Sequence, residues 1–149
     1  ELIGDIFVRS REKLKAIKLD SSLNSSAIDE FLLIFLVAGK CDGISSFKKL
    51  SELNKKESKR FDWGFKILKM MGIETIKTKN FGIKIKGNAQ LELKNTYIIK
   101  NYLKDHRIFM VSAIAALTFG GEWKIYDTDS FKTSFPTFLK TLKYLGAKI

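Results

Sequence analysis

Three short charged clusters carry the residue types that could do chemistry: Asp29-Glu30, Lys56-Glu57-Ser58-Lys59-Arg60 and Asp105-His106-Arg107. Each sits directly ahead of a stretch with helical apolar spacing, which puts it at a helix N-terminus. A helix N-terminus offers unpaired N–H groups and the positive end of the helix dipole, so it attracts anions. Arg60, Arg107 and nearby lysines add full positive charges, a combination suited to a multiply anionic ligand. Carboxylates at Asp29 and Glu57 inside that field could move protons, with pKa values set by their neighbours. Taken singly, each acid has a plainer role. Asp29 and Asp105 could be N-caps, and Glu57 could simply favour the start of its own helix. Function requires the three clusters to meet at one end of the fold.

The elements that must bring them together repeat. The first unit is Asp29, an apolar helix to about Cys41, Gly43, a strand Ile44–Lys48, a second helix, and Met71-Gly72-Ile73. The second is Asp105, an apolar helix to about Thr118, Gly120-Gly121, a strand Glu122–Tyr126, a helix, and Leu145-Gly146-Ala147. This pattern predicts an internally duplicated α/β chain with units at about 29–87 and 105–149. The leading helix of each unit is apolar nearly all round, which predicts burial on every side. The second helix is one-sided. Phe61, Phe65, Leu68 and Met71 form one stripe; Phe135, Phe138, Leu139, Leu142 and Leu145 form the other. Both stripes read as core, with glycine caps behind them. Strands are expected at Leu2–Arg9 and Lys15–Leu19, at Phe81–Ile85, and at Leu91–Leu93 after a Gly87-Asn88 turn.

Composition bounds the classes. The 149 residues suffice for one domain with a real core. Apolar content is 45% with a single proline, which excludes a disordered chain. The runs Phe31–Ala38 and Ile108–Leu117 fall far short of the ~20 residues of a membrane span. The opening Glu1-Leu2-Ile3-Gly4-Asp5 has no basic-then-apolar leader. The lone Cys41 rules out an internal disulfide and reads as a small buried hydrophobe in a reducing, cytoplasmic setting. Net charge is +11, but Lys outnumbers Arg 23 to 4 and the lysines alternate with apolar residues, as on solvated sheet faces. One His and one Cys cannot make a typical zinc site, and no P-loop, dinucleotide or nucleophile-elbow motif occurs.

In order along the chain stand Gly4-Asp5-Ile6-Phe7-Val8, Ile28-Asp29-Glu30, Lys56-Glu57-Ser58-Lys59-Arg60, Asp105-His106-Arg107 and Ser134-Phe135-Pro136. Together they resemble the C-terminal part of the 5-enolpyruvylshikimate-3-phosphate synthase family, over essentially the whole chain. The Lys-Glu-Ser/Thr-x-Arg and Asp-His-Arg motifs carry most of the specificity. The chain departs from the family pattern at Lys59 (commonly an acid) and Leu32 (commonly proline). It departs again at Thr133, where some members place a substrate-contacting lysine; here Lys132 lies one position earlier.

The resemblance implies part of an inside-out α/β barrel of repeated units, with buried helices and outer sheets. It implies transfer of the enolpyruvyl group of phosphoenolpyruvate to the 5-hydroxyl of shikimate 3-phosphate, releasing phosphate, with no metal or cofactor. Asp29 would hold shikimate hydroxyls and help deprotonate the attacking one, and Glu57 would be a general acid/base at the methylene. Lys56 would lie toward the shikimate phosphate. Arg60 and Arg107 would clamp phosphoenolpyruvate, with His106 in the same shell and Lys132 as a further ligand. The family's other domain has no counterpart in these residues, so 1–149 is expected to be one partial domain, inactive alone, whose partner is the missing N-terminal domain of the same enzyme. No nucleic-acid or membrane partner is implied. Two other readings stand beside it: a basic module binding anions or nucleic acid, and the sister UDP-N-acetylglucosamine enolpyruvyl transferase, against which the Lys-Glu-Ser-x-Arg motif argues.

Overall fold

The computed structural model describes residues 4, 5, 7–9 and 13–149. In chain order they form a 3-10 turn (Ser21–Leu23), α1 (Phe31–Lys40), β1 (Ile44–Phe47), a 3-10 turn (Ser51–Lys55) and α2 (Arg60–Met70). Then come β2 (Glu74–Thr78), β3 (Gly82–Lys86), β4 (Leu93–Ile99), α3 (His106–Phe119), β5 (Gly120–Ile125) and α4 (Phe138–Tyr144). The fold is α/β.

β1, β3 and β2 form an antiparallel sheet with β3 in the centre. The period-two pattern sorts its faces: Phe47, Thr75, Ile83 and Ile85 are buried, whereas Glu74, Lys84 and Lys86 are exposed. β4 and β5 pair in parallel, with α3 as the crossover that parallel pairing requires. On this pair Tyr97 stacks on Trp123 with ring centroids 4.9 Å apart.

Several expectations need correction. The segment Lys15–Leu19 runs parallel to the chain entering and forming β1 but makes only isolated bridges, Lys15 to Asp42 just ahead of β1 and Lys18 to Ser46 within it. Between these points the Ile17 amide donates to the Ser45 hydroxyl at 3.2 Å, which interrupts the ladder. The expected strand Leu2–Arg9 falls partly on residues 2, 3 and 6, outside the described residues; 4, 5 and 7–9 carry no regular structure. Gly87-Asn88 does not fold β3 back onto β4. The Asn88 amide donates to Gly39 O at 2.8 Å and Lys40 Nζ donates to Leu91 O at 2.8 Å, so the chain is tied to the end of α1 and β4 enters a different sheet.

The two leading helices are buried on most sides, not all. Phe31, Phe35 and Leu36 of α1 and Ile108, Phe109, Val111 and Ala115 of α3 are buried, but Leu33, Val37 and Leu117 are exposed. Leu33 and Val37 instead line an open groove with Leu14 and Ile17. α1 and α2 approach closely because of Gly64: a Cβ there would meet Phe35 Cδ2 at 2.8 Å. Gly72 and Gly146 terminate α2 and α4 with φ of 74° and 95°. In both, the following amide reaches back to close the cap, Ile73 N to Leu68 O and Ala147 N to Leu142 O.

Candidate functional site

The three charged clusters meet, and Arg60 is where they meet. Asn54, on the 3-10 turn before α2, prepares the meeting. Its Oδ1 accepts from the amides of Phe61 and Asp62 at 3.0 and 3.3 Å, which caps α2 and sets Arg60 at the helix entry. The Arg60 side chain is only 2% exposed. Its Nε donates to Asp105 Oδ2 at 2.8 Å and its Nη2 to Asp105 Oδ1 at 3.3 Å. Nη1 donates to Asp29 Oδ1 at 3.0 Å, and Nη2 also donates to Glu57 Oε2. One guanidinium thus joins the starts of all three helices.

Asp105 is fully buried and is the N-cap of α3, accepting the Arg107 amide on Oδ1 at 2.9 Å. Its Oδ2 also accepts from the Ser58 hydroxyl at 2.8 Å. Burial pushes this carboxyl upward, but hydrogen bonds from Arg60 and Ser58 and the Arg60 charge outweigh it and hold it below its ordinary range. Burial likewise works against the Arg60 charge, and the facing carboxylates more than restore it.

Asp29 is not an N-cap; Glu30 holds that position, without a side-chain capping bond. Asp29 instead lies among cations, with Lys56 Nζ at 3.4 Å, Arg60 Nη1 at 3.0 Å and Arg107 Nη2 at 3.6 Å. Slight burial raises its carboxyl, and Arg107, Lys56 and Arg60 together pull it below the ordinary range. Arg107 also donates to Asp29 O at 2.7 Å and to Glu30 Oε1 at 3.1 Å. Glu57 is half in solvent, bound to Arg60. His106 opens α3, partly exposed, with no side-chain hydrogen bond among the described residues. Lys132 stands apart: it is exposed and pairs with Asp129, and no ion pair joins it to the other residues of the cluster.

As a unit, four carboxylates (Asp29, Glu30, Glu57, Asp105) face three cations (Lys56, Arg60, Arg107). Beside them a groove of about 260 Å³ runs between α1 and α3, lined by Asp29, Glu30, Leu33, Arg107, Met110 and Phe135 among others. The arrangement sets two partly exposed carboxylates, Asp29 and Glu57, against the Arg60 and Arg107 guanidinium groups and the Lys56 ammonium. Among the described residues no group of His, Cys, Asp and Glu side chains is arranged to hold a metal. Reading the sequence alone missed Ser58 as a partner of Asp105, because a buried and a solvated serine look alike until the fold brings residues 47 positions apart together.

Known proteins resemble this chain in sequence and fold. The family model for EPSP synthase (3-phosphoshikimate 1-carboxyvinyltransferase) matches residues 4–142. The 3-phosphoshikimate 1-carboxyvinyltransferase of Thermodesulfovibrio yellowstonii is 35% identical over 145 residues, covering 97% of this chain and 33% of that protein. That of Endomicrobium trichonymphae is 37% identical over 142 residues, covering 95% of this chain and 32% of that protein. The chain therefore spans about a third of the length of the curated relatives it matches. Among solved structures, EPSP synthase from Acinetobacter baumannii superposes with a TM-score of 0.79 at 32% identity, covering 89% of this chain and 30% of that one. The enolpyruvyl transferase NikO from Streptomyces tendae shares the fold, with a TM-score of 0.63 at 15% identity over 91% of this chain and 29% of that one. The match from Gly4 to Leu142 takes in all three charged clusters, and the chain belongs to the EPSP synthase family.

Proposed function

We propose that this chain is the C-terminal part of an enzyme that transfers the enolpyruvyl group of phosphoenolpyruvate to the 5-hydroxyl of shikimate 3-phosphate, with release of phosphate. The observation that carries the reading is the single network joining Asp29, Lys56, Glu57, Arg60 and Arg107 at three helix starts. Arg60 and Arg107 hold the carboxylate and phosphate of phosphoenolpyruvate, with His106 beside them. Donors of both are occupied by Asp29, Glu30 and Glu57, so the ligand enters by taking the place of these carboxylate oxygens. Displacing Glu57 from Arg60 frees it as an acid/base.

The step then balances. Asp29 assists removal of the proton from the shikimate hydroxyl, whose oxygen bonds to C2 of phosphoenolpyruvate, and Glu57 delivers a proton to C3. In the second half Glu57 takes a proton from C3 as the C2–O bond to phosphate breaks, and the departing phosphate takes up the proton first removed from the hydroxyl. Lys56 lies toward the shikimate phosphate, and Lys132 contributes only if the turn carrying it approaches the ligand. The reading calls for no metal or cofactor, for no nucleic-acid or membrane partner, and for a cytoplasmic setting. Among the described residues no helix is long and apolar enough to cross a membrane. It treats the chain as a partial domain of repeated units from an inside-out barrel, inactive without the remainder of the polypeptide. The paired Schellman caps and the parallel approach of each leading segment to the strand after its helix support that repeat.

The test is phosphate release from phosphoenolpyruvate by the full-length polypeptide carrying this segment. Release only with shikimate 3-phosphate present is the expected result, and Glu57→Gln should lower turnover by about 10²–10⁴. Release with UDP-N-acetylglucosamine in its place would assign the chain to the sister reaction, and an active Glu57→Gln enzyme would remove Glu57 from the chemistry.

A further inference from the structure

The proposed reaction leaves Ser58 and Asp105 without a role, yet they are among the few buried polar side chains, 3% and 1% exposed. Asp105 Oδ2 receives two hydrogen bonds, from Ser58 Oγ at 2.8 Å and from Arg60 Nε at 2.8 Å. Its Oδ1 receives the Arg107 amide at 2.9 Å and Arg60 Nη2 at 3.3 Å. All the acceptor directions of the carboxylate are thereby used. A carboxylate held only by Arg60 could rotate about its Cβ–Cγ bond and take the guanidinium with it. Held also by an amide of α3 and by a hydroxyl just ahead of α2, it has one orientation, and the guanidinium fork inherits that orientation through its Nε edge.

We propose that Ser58 is a positioning residue for the anion clamp: its hydroxyl fixes the Asp105 carboxylate, which fixes the plane of the Arg60 guanidinium. This rests on the enolpyruvyl-transfer reading for its consequence in turnover, but not for its geometry. Nη1 meets Asp29 and Nη2 meets Glu57, the two carboxylates a ligand would displace, whereas Asp105 takes Nε and shares Nη2. Ser58 therefore acts on how well a ligand is met and not on proton transfer. Misalignment of a clamp weakens binding of phosphoenolpyruvate more than it slows the chemical step.

The experiment uses Ser58→Ala and Ser58→Thr in the full-length polypeptide, with phosphoenolpyruvate as the probe and Arg60 Nε–H followed by nitrogen-15 NMR. The Arg60→Lys variant assigns that signal. Ser58→Ala should raise KM for phosphoenolpyruvate about tenfold, the weight of one hydrogen bond to a charged group, with a smaller fall in kcat. It should shift and broaden the Arg60 Nε–H signal, and Ser58→Thr, which keeps the hydroxyl, should restore both. An unchanged KM and an unchanged Nε–H signal in Ser58→Ala would overturn the proposal. So would a defect that Thr fails to restore while its thermal midpoint matches the parent, because packing and not the hydroxyl would then be responsible. If the parent polypeptide shows no turnover, the reaction reading fails, and the Nε–H signal alone still decides the positioning role.

Discussion

The two one-sided helices, α2 and α4, have nearly the same apolar spacing and very different surroundings. On the α2 stripe Phe61, Leu68 and Met71 are 1–2% exposed. On the α4 stripe only Phe138 is buried; Leu139 and Leu142 are half-buried, and Phe135 and Leu145 are exposed at 41% and 73%. Both helices end in the same glycine cap. What differs is what lies opposite. α2 packs on α1 through Gly64, borders β2, is capped by Asn54 and is bolted to α3 by the Arg60–Asp105 pair. α4 leans on an aromatic cluster of Phe109, Phe131, Phe135 and Phe138 and on little else among the described residues. An amphipathic stripe states that a helix has a face to bury, and the rest of the fold decides whether anything buries it.

The contrast can be broken at several points. The largest effect belongs to the bolt. Asp105→Ala leaves the Arg60 charge buried without its main partner, which should cost about 3–5 kcal/mol, measured by urea unfolding; a loss under 1 kcal/mol would mean that Arg60 escapes to solvent. Next comes the α2 stripe: Leu68→Ala should cost about 2–5 kcal/mol by opening a cavity. Gly64→Ala should cost about 1–3 kcal/mol, since its Cβ must displace the Phe35 ring. A neutral result there would show that α1 and α2 can separate without loss.

Acid should act on the α2 side first. Asp29 and Asp105 have carboxyls held below their ordinary value of 3.8. Between the lowered folded values and 3.8 the folded chain binds fewer protons than the unfolded one, so their contribution is fully present above 3.8 and is lost as pH falls through the folded values. Circular dichroism through an acid titration should show loss of structure below pH 3.8 that Asp105→Asn makes shallower. The smallest effect belongs to α4: Leu145→Ala should change stability by no more than about 0.5 kcal/mol. A large loss would show that Leu145 is covered in solution and would erase the contrast.

Much of this was readable before any coordinates. The helix starts at Asp29-Glu30 and Asp105, the alternation of Ile83 and Ile85 with Lys84 and Lys86, and the closing glycines 72 and 146 are local matters of period, capping and φ, and the chain states them directly. Other features were not local. Lys15–Leu19 has strand composition, but a hydroxyl of Ser45 takes one of its ladder bonds. Gly87-Asn88 has hairpin chemistry, but the end of α1 captures the chain that follows it. The apolar run of α1 demands burial, and no periodicity reveals that Leu33 and Val37 lack a cover among these residues.

The site divides along the same line. Residue types and helix-start positions of Asp29, Lys56, Glu57, Arg60, His106 and Arg107 are properties of the chain. Their convergence is a property of the fold: Arg60 reaches Asp105 across 45 positions, and Arg107 reaches Asp29 across 78. So are the burial of Arg60, the occupation of its donors by carboxylates, and the separation of Lys132 from the cluster. The physical reason is range. Capping, pitch and alternation act over a few residues and can be read in order, whereas charge pairing and burial depend on distances that exist only once the chain has packed.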